Sequence, residues 1–410
     1  MGDETLTITS QETTADQDDR FHRFRLIGWW DQQRLADAKV LVIGAGALGN
    51  EIVKNLALLG VGNLFIADLD RIENSNLSRS VLYRESDNGQ AKSETAARVA
   101  KEIYPAINVQ HFNGNIVYDL GLGVFRWADV VIGGLDNREA RLAINRNCWK
   151  VARPWIDGAI EQVQGCARVF VPEGPCYECT MSEIDWQVLQ RRQSCNLLSR
   201  DEMQAGKTPT TPTISSIIAG VQCQEAVKLL HGMPTMRGCG WFFDGLSGDS
   251  YQVEYQQKED CYSHDTLDRL IRLTAGHANV TAGRLLNAAR QLLGENVELE
   301  LARDVLHKLV CHNCGQEEPV FMSLGKVRAE QAWCPNCPDK RRDAQMFYKI
   351  RGDESFLDRT LKDIGVPPLD IIVARTDEET VGFELTGDES NVLGPLADIK
   401  KGNNGRERRT

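Results

Sequence analysis

An α/β chain with a doubly wound, largely parallel sheet, followed by a smaller α+β region, is what this 410-residue sequence predicts. Three observations carry the expectation. From about Arg20 to His264, short β-branched apolar runs alternate with helical stretches, the pattern of strands buried on both faces and crossed over by helices. A glycine-rich turn stands between the first such run and the first helix. Beyond Asp265 the style changes to helical patterns, a cysteine-rich stretch and short strands. The length itself exceeds one average domain.

In chain order, residues 1–19 are polar and mostly acidic and read as a disordered tail. Lys39-Val-Leu-Val-Ile43 reads as a buried strand and Leu48–Leu59 as an amphipathic helix. Leu64–Ala67 and Asp129–Ile132 read as further strands, and Ile214–Leu230 as a long helix. Residues 180–213 form a polar crossover loop, in which Lys207-Thr-Pro-Thr-Thr-Pro212 excludes regular helix. Residues 265–386 make the second domain, with helical patterns at Leu267–Leu273 and Ala282–Leu293 and a strand at Leu369–Val373. Residues 387–410 have loop composition and read as a flexible tail.

A formal charge of −11 and a pI near 5.3 argue against nucleic-acid and membrane-surface binding, which need clustered Lys and Arg. With no 18-residue apolar run and no apolar N-terminal segment, the expected location is the cytoplasm. In that reducing compartment the 12 cysteines read as metal ligands and thiols rather than disulfides.

Gly44-Ala-Gly46-Ala-Leu-Gly49 lets the backbone turn tightly against a phosphate at a helix N-terminus. Asp68, 19 residues beyond Gly49, stands where a ribose hydroxyl is held. These residues alone fit NAD or ATP equally. Asn76-Leu-Ser-Arg79, Lys92 and Leu135-Asp136-Asn-Arg138 with Arg141 follow later strand ends. Arg79 and Lys92 suit charge developing on phosphate oxygens, and Asp136 suits a magnesium ion. That convergence favours phosphate chemistry over hydride transfer. Cys311-His-Asn-Cys314 and Cys334-Pro-Asn-Cys337, 19 residues apart, have zinc-ribbon spacing on their own account.

The stretch from Arg20 to about His264 resembles the ThiF/MoeB/ubiquitin-activating-enzyme superfamily. The resemblance implies a Rossmann-like adenylation domain that uses Mg-ATP to activate the C-terminal glycine of a ubiquitin-like or sulfur-carrier protein. By resemblance, Gly44, Gly46 and Gly49 form the ATP loop, Asp68 holds the ribose, Asn76, Arg79 and Lys92 contact phosphates, and Asp136 handles metal and phosphate. Arg20-Phe-His-Arg23 looks like the segment whose last arginine enters a partner subunit's site, which implies a homodimer. The motif usually written Asn-Leu-Asn-Arg-Gln reads Asn76-Leu-Ser-Arg-Ser80 here, a change that keeps the arginine.

Cys176-Tyr-Glu-Cys179 matches one half of the family's structural zinc site, and Cys261-Tyr-Ser-His264 stands where its second cysteine pair belongs. Two structural zinc ions are therefore expected. Cys195, beside Arg191 and Arg192, matches the crossover-loop cysteine that takes the carrier as a thioester, and the two arginines would favour its thiolate. Asn196 replaces the threonine common after that cysteine. Cys148, Cys166, Cys223 and Cys239 read as buried small hydrophobes.

Two functions follow from the resemblance. The first is ubiquitin-like modifier activation, with adenylation followed by a thioester on Cys195 and transfer to a conjugating enzyme docked on residues 265–386. The second is an adenylyltransferase for a sulfur carrier of thiamine, molybdopterin or cysteine synthesis, with no obligatory enzyme thioester. No rhodanese-type loop is recognisable, which favours the first. A single adenylation domain points to a bacterial or archaeal source, with ubiquitin-like operons of phage defence among the settings implied.

Overall fold

The computed structural model describes residues 19–187, 209–267, 269–323, 326–327 and 329–398. Cys195, most of the crossover loop and nearly all of the N-terminal tail lie outside the described residues.

The first region is built on strands β1 (Lys39–Ile43), β2 (Asn63–Asp68), β3 (Asn108–Asn113), β4 (Val130–Gly133), β5 (Trp155–Glu161), β6 (Gln164–Phe170), β7 (Cys239–Asp244) and β8 (Ser250–Glu254). They form one sheet in the order β3-β2-β1-β4-β5-β6-β7-β8. The pairings from β3 to β5 are parallel, and those from β5 to β8 are antiparallel. All five residues of β1 are buried, as expected of a central parallel strand covered on both faces.

Its longer packed helices among the described residues are α1 (Gln32–Asp37), α2 (Ala47–Leu59), α3 (Lys92–Ile103), α4 (Leu122–Trp127), α5 (Arg138–Lys150) and α6 (Pro212–His231), and residues 183–187 of the expected crossover loop are helical as well. Residues of α2, α3 and α6 pack with Val40, Val42, Leu64 and Ile66 on one face of the sheet. Residues of α4 and α5 pack with Leu41, Ile43 and Phe65 on the other. Successive strand residues point to opposite faces, so the continuous run Lys39–Ile43 feeds both cores. The expected doubly wound layering is present.

The second region contains β9 (Arg269–Leu273), α7 (Ala282–Leu293), β10 (Glu298–Val310), β11 (Glu317–Ser323), β12 (Trp333–Cys334), β13 (Cys337–Arg341), β14 (Asp343–Ile350), β15 (Ile371–Arg375) and β16 (Thr380–Leu385). A second sheet runs β11-β10-β15-β16-β9, with β14 on the other side of β10. The helix expected at Leu267–Leu273 is instead strand β9, paired in parallel with β16. Leu267, Leu270 and Ile271 fit helical spacing, but a run this short fits either period, and pairing with the apolar β16 decides it.

The tail expected from Gly387 also needs correction. Helix α8 (Glu389–Leu393) and a 3-10 turn at Gly394–Leu396 are folded, and Leu393 and Leu396 are buried. Together with Leu369 and Ile371 they complete the α4/α5 core of the first region. The two regions therefore share a core rather than hanging on a linker. Polar contacts reinforce the seam: Arg126 makes a two-pronged pair with Glu384 at 2.7 and 2.5 Å, and the Leu122 amide donates to Asp370 at 2.8 Å. Gly123 donates to the Leu369 carbonyl at 2.9 Å, and a Cβ there would lie 2.5 Å from that oxygen. Only glycine permits this approach. No helix of the described residues is long and apolar enough to cross a membrane.

Candidate active site

β1 ends at Ile43 and the chain turns back into α2 through Gly44, whose φ of +91° lies in the left-handed region. A Cβ on Gly44 would meet the Gly134 carbonyl oxygen at 2.5 Å, and one on Gly49 would meet the Gly44 oxygen at 1.9 Å. These two glycines are needed for the turn itself. Gly46, at the N-cap of α2, has nothing within 4 Å of where a Cβ would be. The space above it is open to a ligand, and the helix amides face that space.

Asp68 closes β2 beside the turn. Its carboxylate accepts from the Ala45 amide at 2.6 Å and the Asp70 amide at 2.7 Å. Burial raises its proton affinity above that of an ordinary aspartate, while nearby Lys92 opposes the shift. The Lys92 ammonium pairs with Asp70 at 2.8 Å. Asn76 is buried and receives the Glu73 amide, fixing a 3-10 turn from which Arg79 extends, donating to the Ser75 carbonyl at 2.7 Å. Asp136 is exposed, two residues beyond Gly134 and one before the α5 N-cap Asn137.

The turn, Asp68, Lys92 and Asp136 thus gather at the carboxyl edge of the parallel strands, where open α/β sheets bind ligands. Arg23 does not join them. Its 3-10 segment (His22–Leu26) follows Phe21, which packs on Tyr104 and against Gly60. Gly60 ends α2, and 13 residues at ~1.5 Å each put that end about 20 Å from the glycine turn. The segment that carries Arg23 therefore packs toward the end of α2 far from the turn.

Several bracing residues escaped sequence reasoning. Asn50, fully buried, donates to the carbonyls of Ala45 and Gly46 at 2.7 and 3.0 Å and accepts from the Leu82 amide. The Tyr83 hydroxyl donates to the Ala45 carbonyl at 2.6 Å and lies 3.2 Å from the Lys92 carbonyl. Asp157, fully buried, is held between Arg141 at 2.9 Å and Arg168, and Arg141 also grips the carbonyls of Leu135 and Gly158. This fixes the loop that carries Asp136. An Asn one turn into a helix, or an Asp in a strand, has no distinctive spacing, so no sequence signal marked these residues.

Two side-chain clusters could hold metal ions. Cys176 Sγ lies 3.6 Å from Cys179 Sγ and 3.5 Å from Cys261 Sγ, and Cys179 Sγ lies 3.4 Å from His264 Nε2. Metal–sulfur bonds of about 2.3 Å at tetrahedral angles would put sulfurs roughly 3.8 Å apart, so these edges fit one four-coordinate ion. The His264 ring stacks on Trp149 at 4.5 Å, and the Lys258 amide donates to Cys179. The second cluster unites Cys311, Cys314, Cys334 and Cys337, with Cys314 and Cys334 sulfurs 3.6 Å apart. Cys148, Cys166 and Cys223 are buried, as expected, and Cys239 is half-buried.

A profile of the ThiF family matches residues 19–263. The chain is 29% identical to the SAMP-activating enzyme E1 of Haloferax volcanii, over 62% of this chain and 91% of that protein. It is 33% identical to a sulfur carrier protein adenylyltransferase of Thermus thermophilus, over 40% of this chain and 65% of the relative. It is 30% identical to mouse adenylyltransferase and sulfurtransferase MOCS3, over 57% of this chain and 49% of that protein. The chain thus spans less than two thirds of the latter two. Among solved structures, Escherichia coli MccB with ATP superposes with a TM-score of 0.52 at 21% identity, over 63% of this chain and 77% of that one, a likeness of fold.

Proposed function

The chain belongs to the ThiF family, and from that premise we propose that it activates a ubiquitin-like protein, adenylating the carrier's C-terminal glycine and then holding it as a thioester on Cys195. The observation that carries this reading is the convergence of the glycine turn, Asp68, Lys92 and Asp136 at one sheet edge. Relatives named as an activating enzyme E1 and as a sulfur carrier protein adenylyltransferase support the adenylation step.

In the proposed reaction a carboxylate oxygen of the carrier glycine bonds to the α-phosphorus of ATP, the α–β bridge P–O bond breaks, and pyrophosphate leaves. The glycine turn and the α2 amides hold the phosphates, and Asp68 holds the ribose. Lys92 and Arg79 offset charge on the phosphate oxygens, with Arg23 supplied by a second copy of the chain. A magnesium ion held by Asp136 would add charge neutralisation at the same phosphates. No general base is needed, because the attacking carboxylate is already ionised at pH 7. A Cys195 thiolate would then attack the acyl carbon, the C–O bond to AMP would break, and the carrier would stay on the enzyme. Zinc at both cysteine clusters would be structural. The shared core makes residues 265–398 a fixed platform on which a conjugating enzyme could dock.

Intact-mass measurement tests the reading. The full chain is incubated with Mg-ATP and a candidate carrier ending in glycine. A gain of one carrier minus water, removed by excess thiol and absent in Cys195→Ala, supports it. A carrier adenylate with no covalent enzyme adduct instead favours the sulfur-carrier adenylyltransferase. No adenylate from any such carrier refutes both.

A further inference from the structure

Among the described residues, the second region reaches a loop beside the candidate active site that the reaction above does not use. β10 has a register break against β14 between Glu300 and Val305, and such irregularities re-aim side chains out of the ladder. Arg303, inside that break, points at the first region. Its Nη1 donates to the Tyr118 carbonyl at 2.7 Å, and its Nη2 pairs with Asp370 at 3.1 Å. The arginine side chain is only 10% exposed and Asp370 2%, so its direction is fixed from behind. Lys326 pairs with the neighbouring Asp119 at 2.5 Å.

Tyr118 lies in the loop that leaves the carboxyl edge of β3, the edge that carries the glycine turn. Its hydroxyl donates to Glu139 at 2.9 Å. Glu139 is in the first turn of α5, three residues after Asp136, and the Asn137 cap binds the Ala140 amide at 2.8 Å in the same turn. Asp136 itself is exposed and accepts a long 3.4 Å contact from the Asn137 side-chain amide. Its loop is therefore held from the side, by Arg141 on the Leu135 carbonyl and by Tyr118 on Glu139. Only the Tyr118 brace leads to the second region.

We propose that Tyr118 and Arg303 are positioning residues through which the C-terminal region sets the loop bearing Asp136, and so the affinity for magnesium-bound ATP. The metal-dependent part of this inference rests on the nucleotide reading above. The loop-holding part does not, because it is a property of the ligand-free chain.

Two measurements on the full chain test it, with Tyr118→Phe, Arg303→Met and Arg303→Lys. In ligand-free protein, amide exchange across residues 136–142 should quicken about tenfold in Tyr118→Phe and Arg303→Met, as expected for a lost charge-assisted hydrogen bond. Exchange in β1 should stay unchanged, and Arg303→Lys should recover part of the protection. Exchange at residues 136–142 equal to the parent's overturns the proposal, as does a uniform rise that includes β1. In binding titrations with ATP, affinity in excess Mg2+ should fall about five- to tenfold in both variants. With EDTA it should change less than twofold, and the double variant should lose less than the product of the single losses. Parent-like binding by the variants, or equal losses with and without Mg2+, overturns the proposal while leaving the nucleotide reading intact. A parent that binds no ATP overturns the nucleotide reading and the metal-dependent claim together, leaving the exchange result to decide the loop-holding claim.

Discussion

The two regions reach stability by different routes. The first has central parallel strands buried on both faces, and β1 contributes to two cores at once. The second has long, bulged antiparallel strands with exposed faces, such as β14, and gathers four cysteines at one end. The first can lose a ligand and keep its sheet, because apolar packing holds it. Among the described residues, the stretch Cys311–Cys337 of the second has few buried apolar side chains, so an ion held by its thiolates would add order that its packing does not supply. The lesson is where substitutions act: on a rigid turn in the first region, on cross-links and loop braces in the second.

The largest expected effect breaks the rigid turn. Gly49→Val puts carbon against the Gly44 carbonyl and should abolish ATP binding with a loss of more than about 3 kcal/mol in stability, read by titration and denaturant melts. Survival of binding would show that the turn is softer than its contacts imply. Next comes the buried pair around Asp157. Arg168→Met leaves Asp157 paired with Arg141 alone and should cost about 1.5–3 kcal/mol, read by denaturant melts; an unchanged midpoint would show that Arg141 suffices. Substituting a cysteine of each cluster separates the regions. Cys337→Ser should expose residues 311–341 to rapid amide exchange yet keep ATP binding within twofold of the parent, whereas Cys176→Ser should lower the melting point of the first region, where Trp149 packs on His264. Equal responses would erase the distinction between the two clusters.

The smallest effects concern pH. His307, half-buried among Phe321, Phe347 and Phe356, is pushed below the usual histidine value, first by burial and then by Lys308 and Arg359. The unfolded chain binds the proton more readily, so this contribution is full above about 6.5 and is lost as pH falls below that value. The second region should melt earlier in mild acid, and His307→Leu should flatten that dependence. Asp68 has the opposite sign. Its raised value means that folded stability declines as pH rises above 3.8. Asp68→Asn should remove that decline while weakening ATP binding, a pairing readable from melts at several pH values and one titration.

Much of the first region, and one helix of the second, was legible in the sequence. Lys39–Ile43, the glycine turn and Ala282–Leu293 stand where periodicity and turn chemistry place them, because local rules and burial agree there. The cysteine clusters were legible from spacing, in the first case with the help of resemblance. Leu267–Leu273 was not, since a five-residue strand carries too few residues to separate the two periods. Glu389–Leu396 was not, because its polar residues hide two leucines whose burial is decided by a surface more than 200 residues away in the chain.

By itself, then, the sequence determined the alternation of strands and helices, the glycine turn at the end of β1, and the Cys311–Cys337 ligand set. Each is a local pattern, set by backbone sterics, side-chain period or ligand spacing. The tertiary structure alone decided that both regions share a core, that the segment of Phe21 packs against the end of α2, and that Asn50, Tyr83 and Asp157 brace the loops. It also decided that Arg303 reaches Tyr118. These depend on which surfaces meet, and a hydrogen bond between residues 185 positions apart leaves no trace in the order of the residues between them.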